Sequence, residues 1–85
     1  MAKLDDWRVL EFGGERFLSG VVSGHPKLPN DEPIITSRLL MLNPETKTAQ
    51  TYNTQHELGE PKQEWLDWLR EKNHDLREFN FDMRN

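Results

Sequence analysis

The sequence contains no cysteine and no long run of apolar residues. Without cysteine, neither a disulfide framework nor a thiolate metal site can stabilise the fold. No segment approaches the ~20 consecutive apolar residues that a membrane-spanning helix needs, and the first residues do not resemble a secretory signal peptide. We therefore expect a cytoplasmic protein in which residues 1–85 form a single small domain around one core.

An excess of positive charge is also missing, because 11 bases against 15 acids give a net charge of −4. Proteins that bind the phosphate backbone concentrate lysine and arginine, so direct nucleic-acid binding is disfavoured. The acidity is local, since eight acids and five bases fall between Glu57 and the end of the chain. An acidic surface of this kind favours a protein partner that carries a basic patch.

Motifs for catalysis and for metal or phosphate binding are missing as well. Ser37 is not part of a G-x-S-x-G elbow, so we do not expect it to form a hydrolytic triad with His25 and Asp31. His25, His56 and His74 fall on different predicted elements, and no pair has the spacing of H-E-x-x-H. No glycine motif of a phosphate-binding loop is present. We expect no enzymatic activity, no metal and no cofactor.

Short β-type segments separated by turn residues make up the first two thirds of the chain. Gly13-Gly14 joins two such segments, and glycine adopts the positive φ of two-residue hairpin turns without steric cost. Glycine and prolines in residues 24–33 predict a loop. Residues 34–42 predict a central strand, and a turn at 43–47 leads into a strand over 48–58 that lies nearer an edge.

An amphipathic helix is predicted to begin at Glu60-Pro61 and to end at Asn73-His74. Trp65, Trp68 and Leu69 share one stripe, which predicts that the helix packs its indoles against the sheet. An exposed indole would instead be an anchor for a partner. Phe79, Phe81 and Met83 alternate with polar residues, so the tail 74–85 is predicted to be an arm or a closing strand.

The order of elements is hairpin, proline-rich loop, hairpin, helix and final strand, which resembles that of SH3-like small barrels. The resemblance implies a mainly β (α+β) fold, a small antiparallel barrel of four or five strands with one C-terminal amphipathic helix. The segment VVSGHPKLPNDEPIITS is similar to one in small uncharacterised bacterial and phage proteins with a V-x-G-H-P…I-x-T-S core. This second resemblance implies a bacterial or phage origin and carries no activity with it.

The first functional hypothesis is a non-enzymatic module that binds a protein through the 24–33 loop and the acidic helix face. One concrete form is an acidic inhibitor or modulator of a bacterial or phage nucleic-acid-processing protein. The residues predicted to contact the partner are His25, Lys27, Asp31, Glu32, Glu60, Glu64, Trp65, Asp67, Trp68 and Glu71.

Two alternatives remain open. One is a small ligand-binding or hydrolytic module that uses His25, Asp31 and His56. The other is a structural subunit that associates with itself through Phe79, Phe81 and Met83, which could add an edge strand to a neighbouring copy.

Overall fold

The computed structural model describes residues 2–25, 27, 29, 31–52 and 54–83, which form one mixed seven-stranded sheet and one α-helix. The strands are β1 (Ala2–Phe12), β2 (Glu15–Ser23), β3 (Glu32–Ile35), β4 (Leu39–Asn43), β5 (Thr48–Thr51), β6 (Gln55–Leu58) and β7 (Phe81–Asp82), and the helix is α1 (Gln63–Glu71). Their order across the sheet is β3-β2-β1-β6-β5-β4-β7. The predicted mainly β fold with one helix is confirmed. In the described part of the chain, no helix is long and apolar enough to cross a membrane.

The hairpin predicted at Gly13-Gly14 is present. β1 and β2 are antiparallel, and Phe12 pairs with Glu15 across the turn. Gly13 and Gly14 have φ values of 58° and 81°, the positive values that a type I′ turn requires. Local turn chemistry therefore fixes the register of the two strands next to the turn, from Phe12 and Glu15 to Arg8 and Ser19.

The prediction of an antiparallel sheet of four or five strands is wrong. β1 begins at Ala2, and its first residues pair in parallel with His56–Leu58 of β6. The sheet is open, with β3 at one end and β7 at the other, so barrel closure and an SH3-like fold are not confirmed. Pairing across more than fifty residues leaves no local signal in the sequence.

The prediction of one central strand over residues 34–42 is also wrong, because the chain changes partners at Thr36. Leu18 N–H donates to Thr36 Oγ1 (3.0 Å), and Thr36 N–H donates to the Leu18 carbonyl (2.8 Å). Two residues later, the Arg38 carbonyl accepts from Tyr52 N–H (2.8 Å). Residues 36–38 thus cross from β2 to the end of β5 and separate β3 from β4.

The predicted loop and fourth strand are shorter than expected. Glu32 and Pro33 belong to β3, a strand that pairs with β2 and forms one end of the described sheet, where proline removes no ladder hydrogen bond. Residues 48–58 divide into β5 and β6 because Thr51 accepts from Thr54 N–H (3.2 Å) and donates to the Thr54 carbonyl (3.0 Å), which closes a turn. Pro26, Leu28 and Asn30 of the predicted loop lie outside the described residues.

Trp7 joins the helix to the sheet at the centre of the core. Its indole N–H donates to the Gly59 carbonyl (3.0 Å), and its ring lies 5.5 Å from that of Trp65. Pro61 forms a bridge with Trp7, so α1 begins at Gln63 rather than at the predicted Glu60-Pro61. The other large buried side chains are Leu4, Leu18, Val22, Leu39, Leu42, Leu58 and Leu69.

After the helix, the chain returns to the far edge of the sheet. A 3₁₀ helix over Leu76–Phe79 follows Asp75, whose carboxylate accepts from Arg77 N–H (2.9 Å). A hydrogen bond from the Arg77 side chain lowers the pKa of Asp75, and this backbone hydrogen bond lowers that pKa further. β7 then pairs antiparallel with β4, and the last two residues of the predicted tail lie outside the described residues.

Candidate functional site

Trp68 is the most exposed of the three tryptophans and marks one surface of interest. The helix has about 3.6 residues per turn, which turns Trp65 and Leu69 toward the sheet and leaves Trp68 at the border of the buried stripe. Trp65 is 7% exposed, whereas Trp68 is 50% exposed. Shallow clefts of about 370 Å³ and 470 Å³ are both lined by Trp65 and Trp68. The predicted helix packing therefore holds for one indole, and the other is available to solvent.

Three carboxylates lie on the outer side of α1 beside Trp68. Glu64, Asp67 and Glu71 are all exposed and follow the i, i+3, i+7 spacing of one helical stripe. Within the described residues none of the three forms an ion pair, although Asp67 Oδ1 accepts a hydrogen bond from Gln63 Nε2 (3.0 Å). Glu60 is exposed just before the helix. The structure thus brings the predicted acids of the helix next to an exposed indole.

Two basic residues that the sequence did not point to lie near Trp68 at the smaller of the two clefts. Arg8 of β1 and Lys62 before the helix line the smaller cleft together with Glu64. Lys62 Nζ is 3.5 Å from a carboxylate oxygen of Asp6, so part of its charge is offset locally. Arg8 is more than fifty residues from α1 in the chain, and the contacts of the neighbouring Trp7 with Pro61 and Trp65 bring it near. The surface is therefore acidic on its outer side and mixed where it meets the sheet.

The predicted contact residues of the 24–33 loop lie on a different surface. His25 and Lys27 line an open groove of about 880 Å³, and no described residue that lines this groove also lines either cleft beside Trp68. Asp31 and Glu32 are exposed at the start of β3, and Asp31 has a φ of 62° with its N–H bonded to the Val22 carbonyl (2.9 Å). The predicted contact residues therefore divide between two separate places.

His56 is the buried titratable residue among those described in the groove. It lies on β6 in the middle of the sheet, where its paired neighbours on β1 and β5 are Ala2 and Ala49. The residue is 2% exposed, and its Nδ1 has no hydrogen-bond partner within the described part of the chain. Burial lowers the pKa of His56, and the nearby imidazole of His25 lowers that pKa further. The ring is therefore held neutral among small apolar neighbours.

The groove does not have the composition of a hydrolytic or metal site. It brings His25, His56 and Ser37 together, but Asp31, the predicted third member, does not line it, and neither does any other described carboxylate. An imidazole that serves as a general base needs a group that orients it. Among the described residues, no cluster of three or more metal-ligating side chains occurs. The sequence did not point to the other residues that line the groove. They are Ile34, Ile35, Thr36, Thr51, Thr54 and Gln55.

The aromatic residues of the tail are used within the chain. Phe79 packs edge-on against Trp65 with ring centroids 5.3 Å apart, and the Arg16 guanidinium lies 4.7 Å from the ring centroid of Phe81. Both phenylalanines are half-buried, whereas Met83 is 54% exposed. Two of the three residues predicted to mediate self-association thus pack against the chain's own core.

Comparisons with protein-family models, curated proteins and solved structures find no match for this chain. The functions of the surface around Trp68 and of the groove around His56 are therefore inferred from the side chains that form them.

Proposed function

We propose that this protein acts without catalysis, by binding another protein through the α1 face, which we define as Trp68 with Glu64, Asp67 and Glu71. The observation that carries the proposal is the half-exposed indole of Trp68 beside three carboxylates that have no ion-pair partner among the described residues. Tryptophan supplies a large contact area at a low entropic cost and is enriched among the residues that dominate binding energy.

The charge of the α1 face favours a partner with a basic patch. Exposed carboxylates attract lysine and arginine across an interface, accelerate the encounter and disfavour acidic competitors. A protein that handles nucleic acid carries such a patch where it contacts phosphates. An inhibitor or modulator of a bacterial or phage nucleic-acid-processing protein, with the carboxylates in the place of phosphates, is the concrete form of the proposal. Glu60 would lie at the rim of this contact.

The residues of the 24–33 loop are not part of the proposed contact. His25 and Lys27 belong to the groove, which is lined by a different set of residues from the clefts at Trp68. Self-association through Phe79, Phe81 and Met83 is the competing proposal, and it is weakened because Phe79 and Phe81 already pack on the core.

Co-purification tests the proposal. Two double variants are compared that carry the same change in charge at different places on the surface. Glu64→Lys with Glu71→Lys alters the α1 face, whereas Glu45→Lys with Glu57→Lys makes the same change in net charge at two exposed acids elsewhere. Quantitative mass spectrometry should show a protein that is retained by the unmodified chain and by the second pair. The same protein should be lost with the first pair and with Trp68→Ala.

The proposal requires that the retained protein carry a basic surface and bind directly once purified. Retention that is unaffected by both Trp68→Ala and the helix pair would contradict it. Equal losses for the two charge pairs would also contradict it, because they would show a response to net charge alone.

A further inference from the structure

The groove beside His56 has the chemistry of a ligand site that is separate from the α1 face. His56 is only 2% exposed, and its Nδ1 lacks a hydrogen-bond partner in the described structure. Buried polar atoms in folded proteins nearly always have a hydrogen-bond partner, because leaving one unpaired costs about 1–3 kcal/mol. A bound group that pairs with this ring would remove that cost.

The side chains that line the groove favour a ligand with negative charge. The Nδ1 atom of His25 accepts a hydrogen bond from Lys27 N–H (3.0 Å), so in the neutral ring the proton is on Nε2, which is then a donor. Lys27 also lines the groove and adds an ammonium group, while no described carboxylate lines it. Despite the net charge of −4 for the whole chain, the groove is locally suited to an anion.

The remaining walls are suited to an apolar body. Ile35 is 63% exposed and Ile34 is half-buried, and both line the groove. The hydroxyls of Thr36 and Thr51 are already used in hydrogen bonds to the backbone, so they shape the wall without adding unpaired polar groups. The residues paired with His56 on the two neighbouring strands, Ala2 and Ala49, have small apolar side chains that offer the imidazole no hydrogen bond.

We propose that this groove binds a small organic anion, whose apolar part packs on Ile34 and Ile35 and whose carboxylate or phosphate group is held by Lys27 and the His25 Nε2–H. The imidazole of His56 turns so that its Nδ1, which carries the proton in this tautomer of the neutral ring, donates a hydrogen bond to the same ligand. An anion at this position would also favour the protonated form of His56, which opposes the effects of burial and of His25 on its pKa. Recognition of an anion at this place is independent of whether the α1 face binds a protein.

An NMR titration of the isotope-labelled full chain at constant ionic strength tests the proposal with three defined probes. Benzoate and phenyl phosphate share a ring and differ in the anionic group, and benzamide is a neutral control of similar shape. We expect one or both anions to shift the signals of Lys27, Gln55 and His56, and the anion that binds more tightly identifies the preferred group. Benzamide should leave these signals unchanged.

Two matched lysine variants separate specific recognition from a general effect of charge. Lys27→Gln should weaken binding of the preferred anion by about threefold or more, because the lysine is exposed and its ion pair is partly screened. Lys72→Gln, at an exposed lysine that lines none of the described cavities, should leave the affinity unchanged. His56→Gln should reduce the affinity as well, with the fold of each variant checked from its amide spectrum.

Three results would overturn the proposal. They are the absence of groove shifts with both anions, shifts of equal size with benzamide, and equal weakening by Lys27→Gln and Lys72→Gln.

Discussion

At the scale of single residues, Trp7 fixes the position of the helix on the sheet. Its indole N–H bonds to the Gly59 carbonyl (3.0 Å), its own carbonyl accepts from Lys62 N–H (2.8 Å), and its ring contacts Trp65. It is 2% exposed. Because these contacts determine where α1 begins, Trp7 also determines that Trp68 faces outward.

Trp7→Phe should destabilise the protein by about 1–3 kcal/mol, because it removes buried volume and leaves the Gly59 carbonyl without its indole donor. Trp68→Phe makes the same chemical change at a half-exposed position and should alter the free energy of unfolding by less than about 0.5 kcal/mol. Urea denaturation of both variants gives the comparison. Equal destabilisation by the two substitutions would show that the roles assigned to the two indoles are wrong.

His56 should make the stability of the protein depend on pH. Burial and His25 lower its pKa below the usual 6.5, so below that pH the unfolded chain takes up a proton that the folded chain resists. This contribution to stability is complete above about pH 6.5 and decreases as the pH falls through that value toward the lowered pKa of the folded state.

His56→Gln should therefore flatten the decrease in unfolding free energy between about pH 7 and pH 5. His74→Gln is the control, because His74 is exposed and pairs with Glu78 on the surface. Urea denaturation in chloride buffer across this range measures both variants. The same slope in the unmodified protein and in His56→Gln would contradict the burial of a neutral imidazole.

At the scale of elements, β1 contains a bulge that brings it unusually close to β2. The register shifts between Asp5 and Arg8, and Asp6 has a φ of 53°. A Cβ on Gly20 of β2 would lie 2.8 Å from the Asp5 carbonyl oxygen and 2.8 Å from Leu4 Cγ. The bulge therefore requires glycine at this position of the partner strand.

Gly20→Ala should destabilise the protein by about 1–3 kcal/mol through this overlap. The sign of the change is informative. Where alanine can replace a glycine without strain, the free energy of unfolding rises by about 0.4–1 kcal/mol. Ser19→Ala on the same strand should change the unfolding free energy by about 0.5 kcal/mol or less. Thermal or urea unfolding of the Gly20→Ala and Ser19→Ala variants measures both changes. A stabilised Gly20→Ala variant would mean that β1 and β2 are not as close as the structure shows.

Elements whose signals are local could be predicted from the sequence, and those whose partners are distant could not. Gly13-Gly14 specifies its turn by itself, and the stripe of Trp65 and Leu69 specifies the buried side of α1. The apolar run 34–42 gives no sign that the chain leaves β2 at Thr36, because a strand and a crossing segment can both be apolar. The division of 48–58 likewise depends on the hydroxyl of Thr51.

At the scale of the whole molecule, the parallel pairing of β1 with β6 creates both candidate sites. It places His56 between Ala2 and Ala49, and it leads the chain past Trp7 into the helix. The sequence indicated His25 and His56 as possible neighbours but also included Asp31, which the turn into β3 carries away from the groove lining. The sequence indicated the acids of the helix as well, but not Arg8, which lies near Trp68 because β1 passes the start of the helix.

The distribution of charge over the molecule makes the proposed binding depend on salt. The acids of the α1 face are exposed, and exposed charges are screened over about 10 Å at moderate ionic strength. The Trp68 contact is apolar and is not weakened by screening. Affinity for the partner should therefore fall with rising salt to a residual level that Trp68→Ala removes.

The most direct measurement is the dissociation constant of the purified partner over a series of salt concentrations. The unmodified protein and the variant with Glu45→Lys and Glu57→Lys should both bind tightly at low salt and weaken as salt rises. The variant with Glu64→Lys and Glu71→Lys should bind weakly throughout. A flat salt response of the unmodified protein, or equal weakening by the two variants, would contradict recognition of a basic partner by the α1 face.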